Sequence, residues 1–113
     1  MMTLDALRAY GANTAEGMER CLNNEGFYLE MVAMALADGH FDQLKTAMDA
    51  GDARAAFSAA HALKGAVGNV ALTPIYEPLC ALTELLRGKD TPFDGGVKLL
   101  EQIMAAREKA LSL

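Results

Sequence analysis

Residues 52–71 read DARAAFSAAHALKGAVGNVA, and this segment carries the clearest structural signal in the chain. On a helical wheel of about 100° per residue, seven of its apolar side chains form a stripe within roughly 60° of Leu63. This stripe comprises Ala56, Ala59, Ala60, Leu63, Ala66, Val67 and Val70. Such a stripe is typical of a helix that buries one face against its neighbours. Asp52 is a good N-terminal cap for this helix, and Gly51 is a good end for the helix before it.

The composition of the whole chain also favours helices. Ala and Leu supply 37 of the 113 residues, whereas Val and Ile supply 6. Ala and Leu are strong helix formers, and the β-branched residues that favour strands are scarce. Further helical segments are predicted at Thr3–Tyr10, after a cap at Asn13 or Thr14, at Glu25–Ala37, at Phe41–Ala50, at Thr73–Arg87 and after Gly96. We therefore expect an all-α fold in a single domain over 1–113: an antiparallel four-helix bundle over 23–112, with short capping helices over 1–22.

Four segments lead to local predictions. Glu25–Ala37 is apolar nearly all round, so we expect it to be heavily buried. Asp38-Gly39-His40 is typical of a break or a bend. Pro78 should kink its helix or delay the start of that helix. A polar loop is predicted over 89–96.

The charge and the cysteine content limit the possible partners. The formal net charge is −5 and the pI is about 4.9, without a Lys/Arg cluster, which disfavours nucleic-acid binding. Cys21 and Cys80 lack a C-x-x-C spacing and are interpreted as buried reduced thiols. The longest apolar stretch, Met31–Ala37, is too short for a membrane span, and Met1–Tyr10 does not resemble a signal peptide. We expect a cytoplasmic protein without membrane contact.

The outward side of segment 52–71 carries the candidate site. His61 falls near 160° from Leu63, almost opposite the core stripe. Gly65 and Gly68 lie on the same outward side, although each glycine inside a helix costs about 1 kcal/mol relative to alanine. Because these glycines point away from the core stripe, they suit close approach by an external partner. The same broad face includes Arg54, Phe57 and Ser58.

Lys64 lies beside His61 on the helix surface, three residues further on. A neighbouring cation favours the neutral imidazole, whose lone pair can act as a nucleophile. The ammonium group also supplies positive charge for an anion attached to that ring. Together these groups indicate a site for a phosphoryl group, and the alternative is a solvated face with one incidental histidine. His40 is interpreted as an exposed turn histidine, and the two isolated histidines predict no metal site and no cofactor.

The pentapeptide His61–Gly65 reads HALKG. It resembles the H-x-L-K-G signature of histidine-containing phosphotransfer (HPt) domains. Asn69-Val70 resembles the Asn-Ile that often follows, and Leu79-Cys80 with Glu84 resembles the L-C-x-x-L-E pattern of the next helix. The resemblance covers about residues 23–110. Departures from the family pattern at Ala66, Val67, Ala71, Thr73-Pro74, Pro78 and Thr83 leave His61, Lys64 and Gly65 unchanged.

This resemblance implies a histidine phosphotransfer protein of a two-component phosphorelay. His61, through Nε2, would accept a phosphoryl group from a receiver-domain aspartate and pass it to another, with Lys64 stabilising the charge. The expected docking residues for the receiver are Arg54, Phe57, Ser58, Gly65 and Gly68. The implied partners are response-regulator receiver domains, a hybrid histidine kinase or both, with magnesium held by the receiver, and the resemblance favours a monomer. The chain has no glycine-rich ATP-binding region and is too short to include a kinase domain, so we expect a stoichiometric carrier and not an enzyme.

Two other functions compete with this hypothesis. The chain could be a non-phosphorylated helical adaptor that docks receiver or kinase domains through the same face. A small enzyme or cofactor-binding bundle would need a polar pocket inside the bundle, and the apolar stripes offer no inward polar residue to build one.

Overall fold

The described part of the chain consists of helices. A computed structural model describes residues 2–89 and 94–113. In chain order the helices are α1 (Leu4–Tyr10), α2 (Thr14–Arg20), α3 (Glu25–Leu36), α4 (His40–Asp49), α5 (Ala53–Asn69), α6 (Thr73–Leu86) and α7 (Asp94–Leu111). These residues contain no strand, so the predicted all-α class is confirmed.

Helices α4 to α7 form the antiparallel bundle. Each packs against the next along the chain, and α3 lies against α5 and α7. The connections Ala50–Asp52 and Val70–Leu72 are short, which makes the helices that they join antiparallel neighbours. The core between them is apolar, and its largest fully buried side chains include Phe41, Leu44, Leu63, Leu79, Leu82 and Ile103.

The predicted stops at Gly11 and Gly51 and the predicted cap of α2 agree with the structure. Gly11 and Gly51 end α1 and α4 with positive φ values of 116° and 69°, a conformation that glycine adopts without steric cost. Asn13, and not Thr14, caps α2 by accepting a hydrogen bond from the amide of Glu16 at 3.1 Å. Side-chain caps therefore fix where these short helices begin.

Tyr28 links α2 and α3 to the bundle. It lies in the first turn of α3 and is fully buried. Its hydroxyl donates a hydrogen bond to the carbonyl oxygen of Val70 at 2.9 Å, and burial raises the pKa of Tyr28. Helix α2 passes over the ring at Gly17, where a Cβ atom would overlap the Tyr28 side chain. A glycine is thus needed at this position for α2 to lie so close to α3.

Helix α7 closes the bundle through three long-range contacts. The Tyr10 hydroxyl donates to the carbonyl oxygen of Ala106 at 2.8 Å, and burial raises the pKa of Tyr10 to about 12. Arg107 donates from Nε to the carbonyl oxygen of Leu36 at 2.9 Å, and its guanidinium lies 4.4 Å from the ring centroid of Phe41. These contacts connect α7 to α1, to the end of α3 and to the start of α4.

All four local predictions are corrected or refined. Helix α3 is not buried all round, because Phe27 and Met34 are 42% and 62% exposed. The interruption at Asp38–His40 is a break, since α4 starts anew at His40. Pro78 does not delay α6, which begins at Thr73. Of the predicted loop over 89–96, residues 90–93 lie outside the described residues, and α7 already begins at Asp94.

Candidate functional site

The candidate site is on α5, whose start is fixed by Asp52. The Asp52 side chain accepts a hydrogen bond from the amide of Ala55 at 3.1 Å. The helix then buries most of the predicted stripe: Ala56, Ala59, Ala60, Leu63 and Val67 are buried, Val70 is buried just after the helix, and Ala66 is only half-buried. The wheel therefore gave the correct inward face, and His61 on the opposite face is exposed.

His61 lies at the centre of α5 and is exposed. Its ring stacks on Phe57 one turn earlier, with the ring centroids 6.0 Å apart and the planes inclined by 6°. Phe57 is half-buried and packs against the core. The imidazole thus projects outward while one neighbouring aromatic ring lies parallel to it.

The C-terminal end of α6 contributes a cation to this stack. The Arg87 guanidinium lies 5.3 Å from the centroid of the Phe57 ring, within the range of a cation–π contact. Arg87 also donates to Glu84 at 3.0 Å. The sequence pattern did not single out Arg87 as a site residue, because the register between α5 and α6 brings it to Phe57 and no local spacing predicts that.

Lys64 adds a second positive charge near His61. It lies three residues after His61 and is half-exposed. The hydrogen bond from Arg87, the charge of Arg87 and the charge of Lys64 lower the pKa of Glu84. The positive charges of Arg87 and Lys64 therefore favour the ionised form of Glu84 at the surface between α5 and α6.

Gly65 is open, as the sequence predicts. A Cβ atom built there would have no heavy atom within 4 Å beyond its own helix. Gly65 also lines a groove of about 360 Å³ between α3 and α5. The other lining residues include Met31, Met34, Ala35, Ala66 and Asn69. An apolar groove thus begins one helical turn beyond His61.

Gly68 is not open, and the expectation that the domain itself leaves it uncovered is wrong. A Cβ atom at Gly68 would lie 2.8 Å from Cε1 of Tyr76 on α6. The carbonyl oxygen of Gly68 accepts a hydrogen bond from Arg20 of α2. The domain's own packing therefore explains this glycine. The wheel missed it because the position of Tyr76 depends on how α6 packs.

The remaining predicted docking residues lie near the start of α5. Arg54 and Ser58 are exposed. Arg54 and Phe57 line a groove of about 190 Å³ together with Leu86, Gly88 and Lys89 after α6. The structure thus brings Arg54, Phe57 and His61 onto one surface, while Gly68 lies under Tyr76.

The second histidine has a different setting. His40 is half-buried at the start of α4, and its Nδ1 lies 2.7 Å from the Asp38 carboxylate. Partial burial would raise the pKa of Asp38, but hydrogen bonds from the His40 amide and ring, with the charge of the ring, lower it overall. His40 is therefore tied to a neighbouring carboxylate, whereas His61 faces outward beside an aromatic ring.

Other chemical groups in the described residues offer no second centre. Cys21 is a buried free thiol and Cys80 is a half-buried one. Within the described ranges, His, Cys, Asp and Glu side chains form no group of three or more that could hold a metal ion. In the same ranges, none of the helices combines the length and the apolar character needed to cross a membrane.

Comparison with known families identifies the class of this domain. The model of the family described as Hpt domain matches residues 30–111, and the chain belongs to this family. Hpt domains act in phosphotransfer within phosphorelays, are phosphocarriers and not catalysts, and interact with receiver domains and kinases. Comparison with curated proteins and with solved structures gave no match.

Proposed function

We propose that this domain carries a phosphoryl group on His61 between receiver-domain aspartates. The observation that carries the proposal is the position of His61, which is exposed at the middle of α5 with its ring beyond the core stripe. A mid-helix side chain has a fixed backbone, so a partner meets the imidazole in a defined place. His40, the other histidine, is half-buried and lies against Asp38, so it is a poorer acceptor.

The proposed step is an in-line transfer. The lone pair of His61 Nε2 forms a bond to phosphorus as the bond from phosphorus to the receiver's aspartate oxygen breaks, and the aspartate leaves as a carboxylate. The reverse reaction delivers the group to another receiver aspartate. Such transfers depend mainly on positioning and on charge stabilisation, so the acceptor needs little covalent machinery.

Lys64 is the proposed charge-stabilising residue. Its ammonium group shares the His61 side of α5, and its charge contributes to the lowered pKa of Glu84 across the α5–α6 surface. A phosphoryl group on His61 brings negative charge to the same surface. Positive charge there stabilises both the transfer and the phosphorylated state.

The proposed docking surface for the receiver consists of Arg54, Phe57, Ser58 and Gly65. All four lie on the outward part of α5 around His61, and the open surface at Gly65 lets a partner backbone come close. Gly68 is left out of this surface because Tyr76 covers it. The α3–α5 groove continues the surface from Gly65.

The wider setting follows from this role. We propose a cytoplasmic, monomeric phosphocarrier without a cofactor or enzymatic activity of its own. Its partners would be response-regulator receiver domains, a hybrid histidine kinase or both. Magnesium would be held by the receiver.

The decisive experiment transfers radioactive phosphate from phosphorylated receiver domains to the wild-type chain, to His61→Gln and to the matched control His40→Gln. We expect labelling of the wild type and of His40→Gln, and none of His61→Gln. The label should be acid-labile and base-stable, as a phosphoramidate is. Labelling that persists in His61→Gln would contradict the proposal. Receiver binding that is indifferent to His61→Gln, without any transfer, would indicate the adaptor function.

A further inference from the structure

We infer that Phe57 is a positioning residue that holds the His61 imidazole in its transfer-competent orientation, and that Arg87 and Glu84 hold Phe57 in turn. This inference rests on the proposed function, because it concerns the same imidazole. It changes the role of Phe57 from a docking contact alone to a part that sets the geometry of the acceptor. It also gives a role to Arg87, which lies on a different helix.

Phe57 and His61 form an aromatic stack on the outward side of α5. Phe57 and His61 are four residues apart on α5, so their side chains lie one above the other. Their planes are inclined by only 6° at a centroid separation of 6.0 Å, within the range of paired aromatic rings. An exposed imidazole without such a neighbour rotates broadly about its terminal torsion. A parallel ring on one side restricts that rotation.

The side chain of Phe57 is more restricted than the side chain of His61. Phe57 is half-buried and packs against the core, whereas His61 is exposed. The Arg87 guanidinium lies 5.3 Å from the Phe57 ring centroid. Glu84 accepts a hydrogen bond from Arg87 at 3.0 Å, which keeps the guanidinium at the end of α6. The bundle therefore restricts the Phe57 ring, and the Phe57 ring in turn restricts the imidazole of His61.

The orientation of the imidazole matters for the transfer reaction. In-line transfer requires the attacking nitrogen to meet phosphorus at about 3–3.5 Å along one direction. When the plane of the imidazole is restricted, its attacking nitrogen points along that direction for a larger fraction of the time. The stack thus acts on the rate of transfer within the complex, whereas a docking contact acts on the affinity for the receiver.

The test measures single-turnover transfer from a phosphorylated receiver over a range of receiver concentrations. For Phe57→Leu we expect the maximal rate to fall by up to about tenfold, the scale of an aromatic pair, in addition to any change in the half-saturating concentration from the lost docking contact. Phe57→Tyr keeps the ring and should keep the rate. For Arg87→Gln we expect a fall of about two- to fivefold, the scale of an exposed cation–π contact.

Matched controls separate the loss of the Phe57 and Arg87 contacts from the general effect of removing an aromatic ring or an ion pair. Phe27→Leu removes an exposed ring of α3, and Arg8→Gln breaks an i,i+3 ion pair with Asp5 that resembles the pair of Arg87 with Glu84. Both controls should transfer at the wild-type rate. Thermal unfolding of each variant establishes that it is folded. If Phe57→Leu does not fold, Arg87→Gln decides the question.

The orientation is also measured without any transfer. In proton NMR spectra the Phe57 ring current should displace the His61 ring resonances, and Phe57→Leu should remove that displacement while Phe57→Tyr retains it. Unmoved His61 resonances, an unchanged maximal rate, or a change confined to the half-saturating concentration would overturn the inference. Failure of the wild type to accept phosphate on His61 would instead refute the proposed function, and the NMR result would still test the stack.

Discussion

The hydroxyl of Tyr28 donates a hydrogen bond to the carbonyl oxygen of Val70 at 2.9 Å, and this contact joins the start of α3 to the end of the helix that carries His61. Since Val70 directly follows α5, the contact fixes where α3 lies along α5. That placement creates the groove next to Gly65. A buried tyrosine at one end of the bundle thus shapes the surface near the candidate phosphoacceptor.

The close approach of α2 to Tyr28 predicts a large effect of one methyl group. Gly17→Ala should lower the free energy of unfolding by about 1–3 kcal/mol, because the added Cβ overlaps a fully buried ring that has no room to move. Urea denaturation measures the change. Gly39→Ala is the control, since a Cβ there meets no atom within 4 Å, and it should change stability by less than about 0.5 kcal/mol. Equal stabilities for the two variants would contradict this account of α2.

The two glycines after His61 should respond differently to alanine. Gly65→Ala adds a methyl group in open space inside a helix, so it should stabilise the fold by up to about 1 kcal/mol. At Gly68 the added Cβ atom collides with Tyr76, so Gly68→Ala should not stabilise the fold. In a Tyr76→Ala background, Gly68→Ala should stabilise the fold as Gly65→Ala does. Urea denaturation of the wild type, the three single variants and the Gly68→Ala/Tyr76→Ala double variant tests the contrast. If the partner backbone approaches Gly65, Gly65→Ala also slows transfer while the fold gains stability.

Removal of the Lys64 charge should slow transfer without unfolding the domain. We expect Lys64→Gln to lower the rate about tenfold, because the developing charge loses a nearby cation at a partly solvated site. Single-turnover labelling measures the rate. The control is Lys45→Gln on α4, where the lysine pairs with Asp49 on the helix surface. A Lys64→Gln variant as fast as the control would exclude a role of this ammonium group in transfer.

The Asp38–His40 pair predicts an acid-dependent contribution to stability. The pKa of Asp38 is lower in the folded chain than its ordinary value of 3.8. The ionised carboxylate therefore stabilises the fold above about pH 4, and this contribution is lost as the pH falls through the folded pKa. Asp38→Asn should be less stable than the wild type at pH 7, and the difference should shrink at pH 3. Urea denaturation at both pH values tests this, and a constant difference would contradict it.

The inward face of α5 could be predicted from the sequence because it depends on helical spacing alone. Ala56, Leu63 and Val67 are buried as the wheel requires, and His61 is exposed as predicted. The boundary between α4 and α5 could also be predicted from local signals, since Gly51 acts through its own backbone conformation and Asp52 through its own side chain.

The parts that could not be predicted are contacts between helices. Gly68 was assigned to an open surface because a wheel contains no information about Tyr76 on α6. The Arg87 contact with Phe57 depends on the same α5–α6 register. The stack of Phe57 on His61 is an intermediate case, since its i,i+4 spacing was visible in the sequence while the parallel ring planes were not. The exposure of Met34 was missed because apolar composition does not tell which side of α3 lacks a neighbour.

The division of α5 into two faces has a consequence for mutational change. Substitutions at inward positions such as Ala60 and Leu63 should alter how much folded protein exists. Under the proposed function, substitutions at outward positions such as His61 and Lys64 should instead alter how fast each folded molecule transfers phosphate. A variant library of α5, scored once for protein level and once for phosphate flux, should separate into two sets with the period of the helix.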